Sequence, residues 1–199
     1  MALIYQGNYI NCSRQQLLDS LRQKLKPTRF EHVLRVEKTA LELAEQLVLE
    51  PEKTSVAALM HDYAKDMDQE EMYQLAYAYW PHDELLQANT AIWHGFAAAY
   101  ICREEYGCQD ESILQAISSH TIGWYRMDSL AKIIYMADYI EPGRTFEGVE
   151  RARQLMALDL NAACDYKMTA TLHHLLDQRQ YIFPETVRIY NARIKDLND

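Results

Sequence analysis

The sequence predicts an all-α protein that folds as a single domain. Only 6 glycines and 5 prolines occur among its 199 residues, and both residue types interrupt helices. Apolar residues recur with the helical period along most segments, whereas the alternation typical of a half-buried strand is essentially absent. The length suits one domain with a substantial buried core.

The helices can be placed in order from signals at their ends. Ser13 is a typical N-cap for a first helix ending near Lys24, after which Pro27 breaks the chain. Pro51 begins a third helix, with His61-Asp62 toward its end, and Gly107 stops a later one. The predicted helices cover residues 13–24, 28–47, 51–62, 69–79, 89–106, 110–119, 129–140, 147–160, 162–178 and 185–197.

No internal repeat and no Gly/Ser/Pro-rich linker divides these helices. We therefore expect one domain over residues 13–199, preceded by a short N-terminal extension over residues 1–12. The aromatic segment Tyr73–Trp80 belongs either to the core or to an interface, with core the better interpretation, so a monomer and a homodimer both stay open.

Charge and composition exclude several functions. The formal net charge of −9 opposes nucleic-acid binding, but bound divalent cations could reverse the local field for a small anionic substrate. No apolar run approaches the ~20 residues that span a membrane, and no signal peptide is visible at the N-terminus. We expect a cytoplasmic protein without a membrane partner. Its four cysteines, which include no C-x-x-C pair, are expected to be reduced thiols.

Four histidines and two aspartates combine metal-binding chemistry with apolar helical surroundings. They are His32, His61, Asp62, His94, His120 and Asp138. Taken singly, each is more often a satisfied core residue than a ligand. Six of them on inward faces can converge on one point, and imidazole with carboxylate suits Zn, Fe, Mn or Ni in a hydrolytic site. By contrast, His82 is expected in a loop or helix cap, and His173-His174 on a mainly exposed helix surface.

Lys65 lies four residues after His61 and three after Asp62, so the three side chains share one side of a helix or its frayed end. The lysine could neutralise phosphate oxygens. The alternative is an ion pair with Asp62 or Asp66.

The ordered series of six residues resembles the HD-domain superfamily of metal-dependent phosphohydrolases. Six segments narrow the resemblance to the YqeK-type symmetrical bis(5′-nucleosyl)-tetraphosphatases, which split diadenosine tetraphosphate into two ADP. These segments are RFEH (29–32), HDYAKD (61–66), HG (94–95), HTIG (120–123), IIYMADYIEPGR (133–144) and FPETVRIYN (183–191). The similarity covers roughly Thr28 to Asn191, and residues 138–144 are its most specific part.

The resemblance implies a helical HD phosphohydrolase domain with one or two divalent transition-metal ions, iron before Mn, Co, Ni or Zn. A metal-bound hydroxide would hydrolyse the nucleotide substrate. The implied metal ligands are His32, His61, Asp62 and Asp138, with His94 and His120 either at a second metal position or on phosphate. The expected catalytic residues are Asp62, Lys65 and Asp66, and either Asp62 or Asp66 would orient the attacking water.

The resemblance also implies a substrate-binding set. Five of the six ligand residues, all except His61, would also contact the substrate. The further phosphate partners are Arg29, Lys65, Thr121 and Arg144. The nucleoside would meet Val149, Tyr181, Ile182, Pro184, Thr186, Tyr190 and Asn191.

Alternative functions remain within and outside this superfamily. A nucleoside mono- or diphosphate phosphohydrolase would share the metal ligands, and a non-catalytic nucleotide sensor would keep them without turnover. A guanosine tetra/pentaphosphate hydrolase fits less well, because Lys65-Asp66 stands where that group typically carries Glu-Asp. The Gly-Tyr-Pro signature of cyclic-dinucleotide phosphodiesterases is missing from the sequence.

Overall fold

The structure is a computed structural model that describes residues 3–198. Within this range it contains α-helices and one short 3-10 helix but no β-strand, which confirms the all-α prediction. Met1, Ala2 and Asp199, which the predicted domain boundaries include, lie outside the described residues. The α-helices are α1 Arg14–Lys24, α2 Pro27–Gln46, α3 Pro51–Met60, α4 Gln69–Tyr79, α5 Thr90–Glu104, α6 Glu111–Ser119, α7 Ser129–Ile140, α8 Val149–Met156, α9 Leu160–Asp177 and α10 Pro184–Asn198, with the 3-10 helix at Asp83–Gln87.

Side-chain caps set most helix starts where the sequence predicts them. Ser13 forms a capping box with Gln16 at the start of α1. Asp68, Asp110 and Asp128 each accept a backbone N–H in the first turn of the following helix. His82 caps the 3-10 helix by accepting from the Glu84 N–H, in agreement with its predicted role.

Several predicted boundaries were wrong by two residues or more, among them those of α3 and α8. Helix α3 ends at Met60, so His61 is its C-cap and Asp62 lies in the turn that follows. Helix α8 is also shorter than predicted, because Gly148 with φ 89° precedes it and Asp159 caps the next helix, which begins at Leu160.

Helix α7 lies at the centre of the protein and contacts two hydrophobic clusters. On one side, Ile133 and Ile134 join the main core, which also contains buried side chains of α1 to α6. On the other side, Tyr135, Met136 and Ile140 pack against α8 and α9. Full burial of such a side chain contributes about 1.5–3 kcal/mol. The position of α7 is therefore tightly fixed by packing on both sides.

The segment before α1 is attached to the helical body by polar contacts. The backbone N–H groups of Gln6 and Asn8 donate to the Glu52 carboxylate at 2.6 and 3.1 Å. Tyr5 Oη lies 2.7 Å from Ser55 Oγ, and the Ser55 hydroxyl donates to the buried Glu37 carboxylate. These contacts fix the start of the chain against α3.

The cysteines and the His173-His174 pair lie away from the predicted ligand residues in the sequence. All four cysteines are free, and His173 and His174 are exposed on α9. Among the described helices, none combines the length and apolar character needed to cross a membrane.

Candidate metal centre

The structure brings the six predicted ligand residues together. His32 comes from α2, His94 from α5 and Asp138 from α7, while His61 and His120 are the C-cap residues of α3 and α6. Ligand atoms of His32, His61 and Asp138 lie within 4.8 Å of one another. The same limit holds for His61, Asp62 and His120, so the two groups share His61. His94 Nε2 joins them at 2.9 Å from His120 Nε2.

Backbone carbonyls set the tautomers of three of these imidazoles. His61 Nδ1 donates to Ala58 O at 2.6 Å and His120 Nδ1 to Ile117 O at 2.7 Å. His94 Nδ1 donates to Thr90 O at 2.9 Å. A carbonyl oxygen can only accept, so Nδ1 carries the proton in each case. The Nε2 lone pairs are thereby left facing the cluster, as metal ligation requires.

When the imidazoles are neutral, as metal binding requires, these Nε2 lone pairs oppose one another unless a cation lies between them. His61 Nε2 is buried without a hydrogen-bond partner and lies 3.5 Å from Asp62 Oδ2. His94 Nε2 lies 3.1 Å from Asp62 Oδ1. A buried polar atom without a partner is costly, and unprotonated nitrogens next to carboxylates repel. A divalent cation removes both problems, so the residues fit a site for such an ion.

The charge states of the cluster also fit metal binding. Burial alone would raise the pKa of Asp62, but the positive charge that His61 carries in the metal-free protein, together with the close contacts of His61 and His94, outweighs burial and holds that pKa well below its usual range. Burial alone would also raise the pKa of Asp138. The hydrogen bond with His32 and the charge of Lys167 outweigh burial and hold this pKa well below its ordinary value. Burial lowers the pKa of His120 well below its usual value. Ionised carboxylates and a neutral imidazole are the forms that bind metal.

Three cationic side chains border the cluster. Arg29 Nη1 donates to Asp62 Oδ2 at 2.9 Å. Arg144 donates twice to Asp138, from Nη2 to Oδ1 at 2.6 Å and from Nε to the backbone O at 2.9 Å. Lys65 Nζ lies 3.4 Å from His94 Nδ1, and burial lowers the pKa of the lysine. Both guanidinium groups are partly exposed, so each can contact a ligand that enters from solvent.

Glu141 is a neighbour of the cluster to which the sequence assigned no role. Its carboxylate accepts from His32 Nδ1 at 3.0 Å and from Arg35 Nε at 2.6 Å. Burial alone would raise the pKa of Glu141, but Arg35, His32 and the Gly143 N–H outweigh it and lower the pKa to about 2. The signal used for Asp138, a carboxylate within an apolar helical stretch, did not apply to Glu141, because Glu141 follows the last residue of α7.

Two basic residues outside the metal cluster, Lys167 on α9 and Arg153 on α8, bind backbone carbonyls around it. Neither residue was predicted from the sequence. Lys167 Nζ is buried and donates to His120 O at 3.1 Å and to Tyr135 O at 2.6 Å, and it lies 3.8 Å from Asp138 Oδ2. Burial lowers the pKa of Lys167 to about 8.

The Arg153 guanidinium binds three backbone carbonyls at 2.9 to 3.0 Å and thereby holds the turn after α7. Its acceptors are the carbonyls of Ile140, Glu141 and Arg144.

Thr121, Asp66 and Val149 differ in how close they come to the cluster. Thr121 Oγ1 lies 3.2 Å from His120 Nε2 and so belongs to it. Asp66 instead accepts from the Lys26 backbone N–H at 2.9 Å and lies 3.6 Å from Lys26 Nζ. It forms no hydrogen bond or ion pair with the six ligand residues. Val149 is buried at the start of α8, outside the cluster of six ligand residues.

A cavity of about 180 Å³ adjoins the cluster at Thr121. Its lining includes Ala88, Asn89, Ala91 and Ile92 before and within α5, and Tyr181, Phe183 and Thr186 before and within α10. Of the other predicted nucleoside contacts, Ile182 and Pro184 alternate with these lining residues, and Tyr190 packs against the core. Asn191 is exposed. The cavity is mostly apolar, as small-molecule pockets generally are.

Comparison with known proteins identifies the family. Residues 29–143, more than half of the chain, match the family model described as "HD domain", and this range includes all six clustered residues. The chain belongs to the HD-domain family.

The relatives of this HD domain agree with the match. A symmetrical bis(5′-nucleosyl)-tetraphosphatase of Bacillus subtilis is 41% identical over 90% of the chain and 96% of that relative. A protein of the same name from Halalkalibacterium halodurans is 38% identical over the same shares. A crystal structure from Clostridium acetobutylicum, described as a predicted HD superfamily hydrolase involved in NAD metabolism, superimposes with a TM-score of 0.87 at 34% identity, over 93% of this chain and 98% of that one.

Proposed function

We propose that this HD domain is a metal-dependent symmetrical bis(5′-nucleosyl)-tetraphosphatase, which hydrolyses diadenosine tetraphosphate and related dinucleoside polyphosphates to two ADP. The observation that carries the proposal is the meeting of four imidazoles and two carboxylates at one point, bordered by Arg29 and Arg144. The near end-to-end similarity to relatives of that name supports the choice of substrate.

In this proposal His32, His61, Asp62 and Asp138 hold a divalent transition-metal ion. His94 and His120 either complete a second ion site or contact phosphate. Iron is the first choice, and the same donor atoms accommodate Mn, Co, Ni or Zn. Such an ion lowers the pKa of water toward neutrality and neutralises phosphate charge.

The surrounding cations position the polyphosphate chain. A guanidinium binds phosphate through two parallel hydrogen bonds and stays charged at neutral pH, so Arg29 and Arg144 are assigned to the phosphates. Lys65 adds a third positive charge beside His94. Thr121 offers a hydroxyl where the cluster meets the cavity.

Hydrolysis requires water to attack the phosphorus second from one nucleoside. The bond to the oxygen bridging the two central phosphates then breaks, and each half leaves as ADP. We assign the orientation of the attacking water to Asp62 rather than Asp66, because Asp62 lies within the cluster and Asp66 is engaged by Lys26.

The cavity beside Thr121 is assigned to one nucleoside. Tyr181, Phe183 and Thr186 would contact the base and ribose from one side, with Ile182 and Pro184 shaping the same segment. Tyr190 and Asn191 on α10, and Val149 on α8, are proposed as further contacts of the nucleotide.

Product analysis tests the function directly. The metal-loaded protein is incubated with diadenosine tetraphosphate, and in parallel with mono- and dinucleotides, and the products are separated by chromatography. Two ADP as the product supports the proposal. AMP plus ATP would indicate asymmetrical cleavage, and turnover of mononucleotides alone would indicate a nucleoside phosphate phosphohydrolase. Binding without any product would indicate a nucleotide sensor.

A further inference from the structure

His32 differs from the other three imidazoles of the cluster in what its Nδ1 contacts. The Nδ1 atoms of His61, His94 and His120 donate to neutral backbone carbonyls. His32 Nδ1 donates to the Glu141 carboxylate at 3.0 Å, and its Nε2 lies 3.1 Å from Asp138 Oδ1. Glu141 is only 1% exposed, so water does not weaken this contact.

We propose that Glu141 is a positioning residue for the metal centre, which acts through His32. It keeps a proton on His32 Nδ1, so that Nε2, which faces Asp138 in the metal-free protein, is the nitrogen that binds the ion, and the negative charge of Glu141 makes that nitrogen a stronger donor. This inference rests on the proposed metal site but not on the identity of the nucleotide.

Arg35 on α2 and the turn after α7 together hold the Glu141 carboxylate in place. Arg35 donates to it from Nε at 2.6 Å and from Nη2 at 3.3 Å, and the Gly143 N–H donates at 2.5 Å. A Cβ atom at Gly143 would lie 2.7 Å from the Arg35 guanidinium, so any larger residue there would displace the arginine. The run Glu141-Pro142-Gly143 therefore has a role of its own, separate from that of Arg144.

The strength of the effect follows from the charge of the acceptor. Hydrogen bonds to ionised acceptors are roughly twice as strong as those between neutral groups. Carboxylates that bind the second nitrogen of a ligating histidine raise its basicity, and their loss typically costs 10–100-fold in metal affinity or activity. We expect Glu141→Gln to fall in this range, because the amide oxygen still accepts from Nδ1 but carries no charge.

Glu37 provides a matched control within the same molecule. It is also a buried carboxylate, and Arg14 binds it through Nε at 2.8 Å and Nη2 at 2.5 Å. Glu37 forms hydrogen bonds with Arg14 and Ser55 and with none of the six ligand residues. Glu37→Gln therefore removes a buried charge paired with arginine without changing any ligand of the metal.

The experiment is a titration of the metal-free protein with Co²⁺, in the absence of nucleotide, followed by the visible absorption of the bound ion. We expect the Co²⁺ dissociation constant to rise roughly 10–100-fold in Glu141→Gln and to stay within twofold of wild type in Glu37→Gln. Both variants should lose thermal stability in the metal-free state. An unchanged constant in Glu141→Gln, or an equal rise in Glu37→Gln, would overturn the proposal.

A second measurement needs no variant and covers the case in which Glu141→Gln does not fold. Nitrogen-15 NMR of the wild-type imidazoles should show His32 with its proton on Nδ1 and a strongly downfield Nδ1–H signal. A proton on Nε2 alone would refute the role of Glu141. Failure to bind Co²⁺ at all would overturn it together with the metal assignment, whereas Co²⁺ binding without diadenosine tetraphosphate hydrolysis would refute only the proposed function.

Discussion

Replacement of Arg144 by lysine separates charge from geometry at the proposed phosphate site. In the structure the Arg144 guanidinium makes two hydrogen bonds at once, to Asp138 Oδ1 at 2.6 Å and to Asp138 O at 2.9 Å. The single ammonium nitrogen of lysine cannot reproduce this planar pair. At least one charge-assisted hydrogen bond is lost, which is worth about 1.5–3 kcal/mol.

We expect the same loss of one hydrogen bond at the proposed phosphate contact, where it would lower kcat/KM for Arg144→Lys by roughly 10- to 150-fold although the net charge is unchanged. The assay is the initial rate of ADP formation from diadenosine tetraphosphate at several substrate concentrations. Arg151→Lys is the matched control, because Arg151 is an exposed residue nearby on α8. A kcat/KM within twofold of wild type for Arg144→Lys, or an equal decrease in the control, would refute the reasoning.

Four further predictions follow from the contacts described above. Arg153→Leu removes a guanidinium that binds three carbonyls, so urea unfolding should show a loss of about 2–4 kcal/mol; a loss below 0.5 kcal/mol would contradict it. Tyr5→Phe should cost about 1 kcal/mol through the lost Ser55 hydrogen bond, with kcat unchanged; an altered kcat would argue against a purely structural role. Asp138→Ala should abolish metal retention, measured by elemental analysis, together with turnover; full activity in the metal-loaded variant would defeat the assignment. The folded-state pKa of Glu141 is about 2, below its ordinary 4.5, so its contribution is complete above pH 4.5 and is lost as the pH falls toward 2. This contribution is at most about 3 kcal/mol, and acid unfolding of Glu141→Gln should show a correspondingly shallower slope.

The helices could be predicted closely because their signals are local. The capping box of α1 joins Ser13 and Gln16, only three residues apart, and Asp110 caps α6 by accepting from the N–H groups two and three residues ahead. The errors arose where the backbone geometry mattered more than the pattern. The apolar run before His61 gives no sign that α3 ends at Met60, and the left-handed Gly148 shortens α8.

The site could be predicted in its ligand types but not in its supporting contacts. Inward-facing histidines and aspartates are visible from helical periodicity, and the structure brings all six together. The partners that orient them are distant in sequence. Glu141 is 109 residues from His32, and Lys167 is 47 residues from the His120 carbonyl that it binds. No periodicity relates such positions, because only the packing of α7 against α2 and against α9 brings them into contact.

The ending of α3 at His61 and of α6 at His120 has an electrostatic consequence. The C-terminal end of a helix carries the equivalent of about half a negative charge, from aligned peptide dipoles. Two such ends therefore point into the cluster, and α7 ends at Ile140, two residues beyond Asp138. The backbone field attracts a divalent cation and repels a polyphosphate. We therefore expect the ion to bind before the nucleotide, so that removal of metal weakens nucleotide binding itself as well as catalysis.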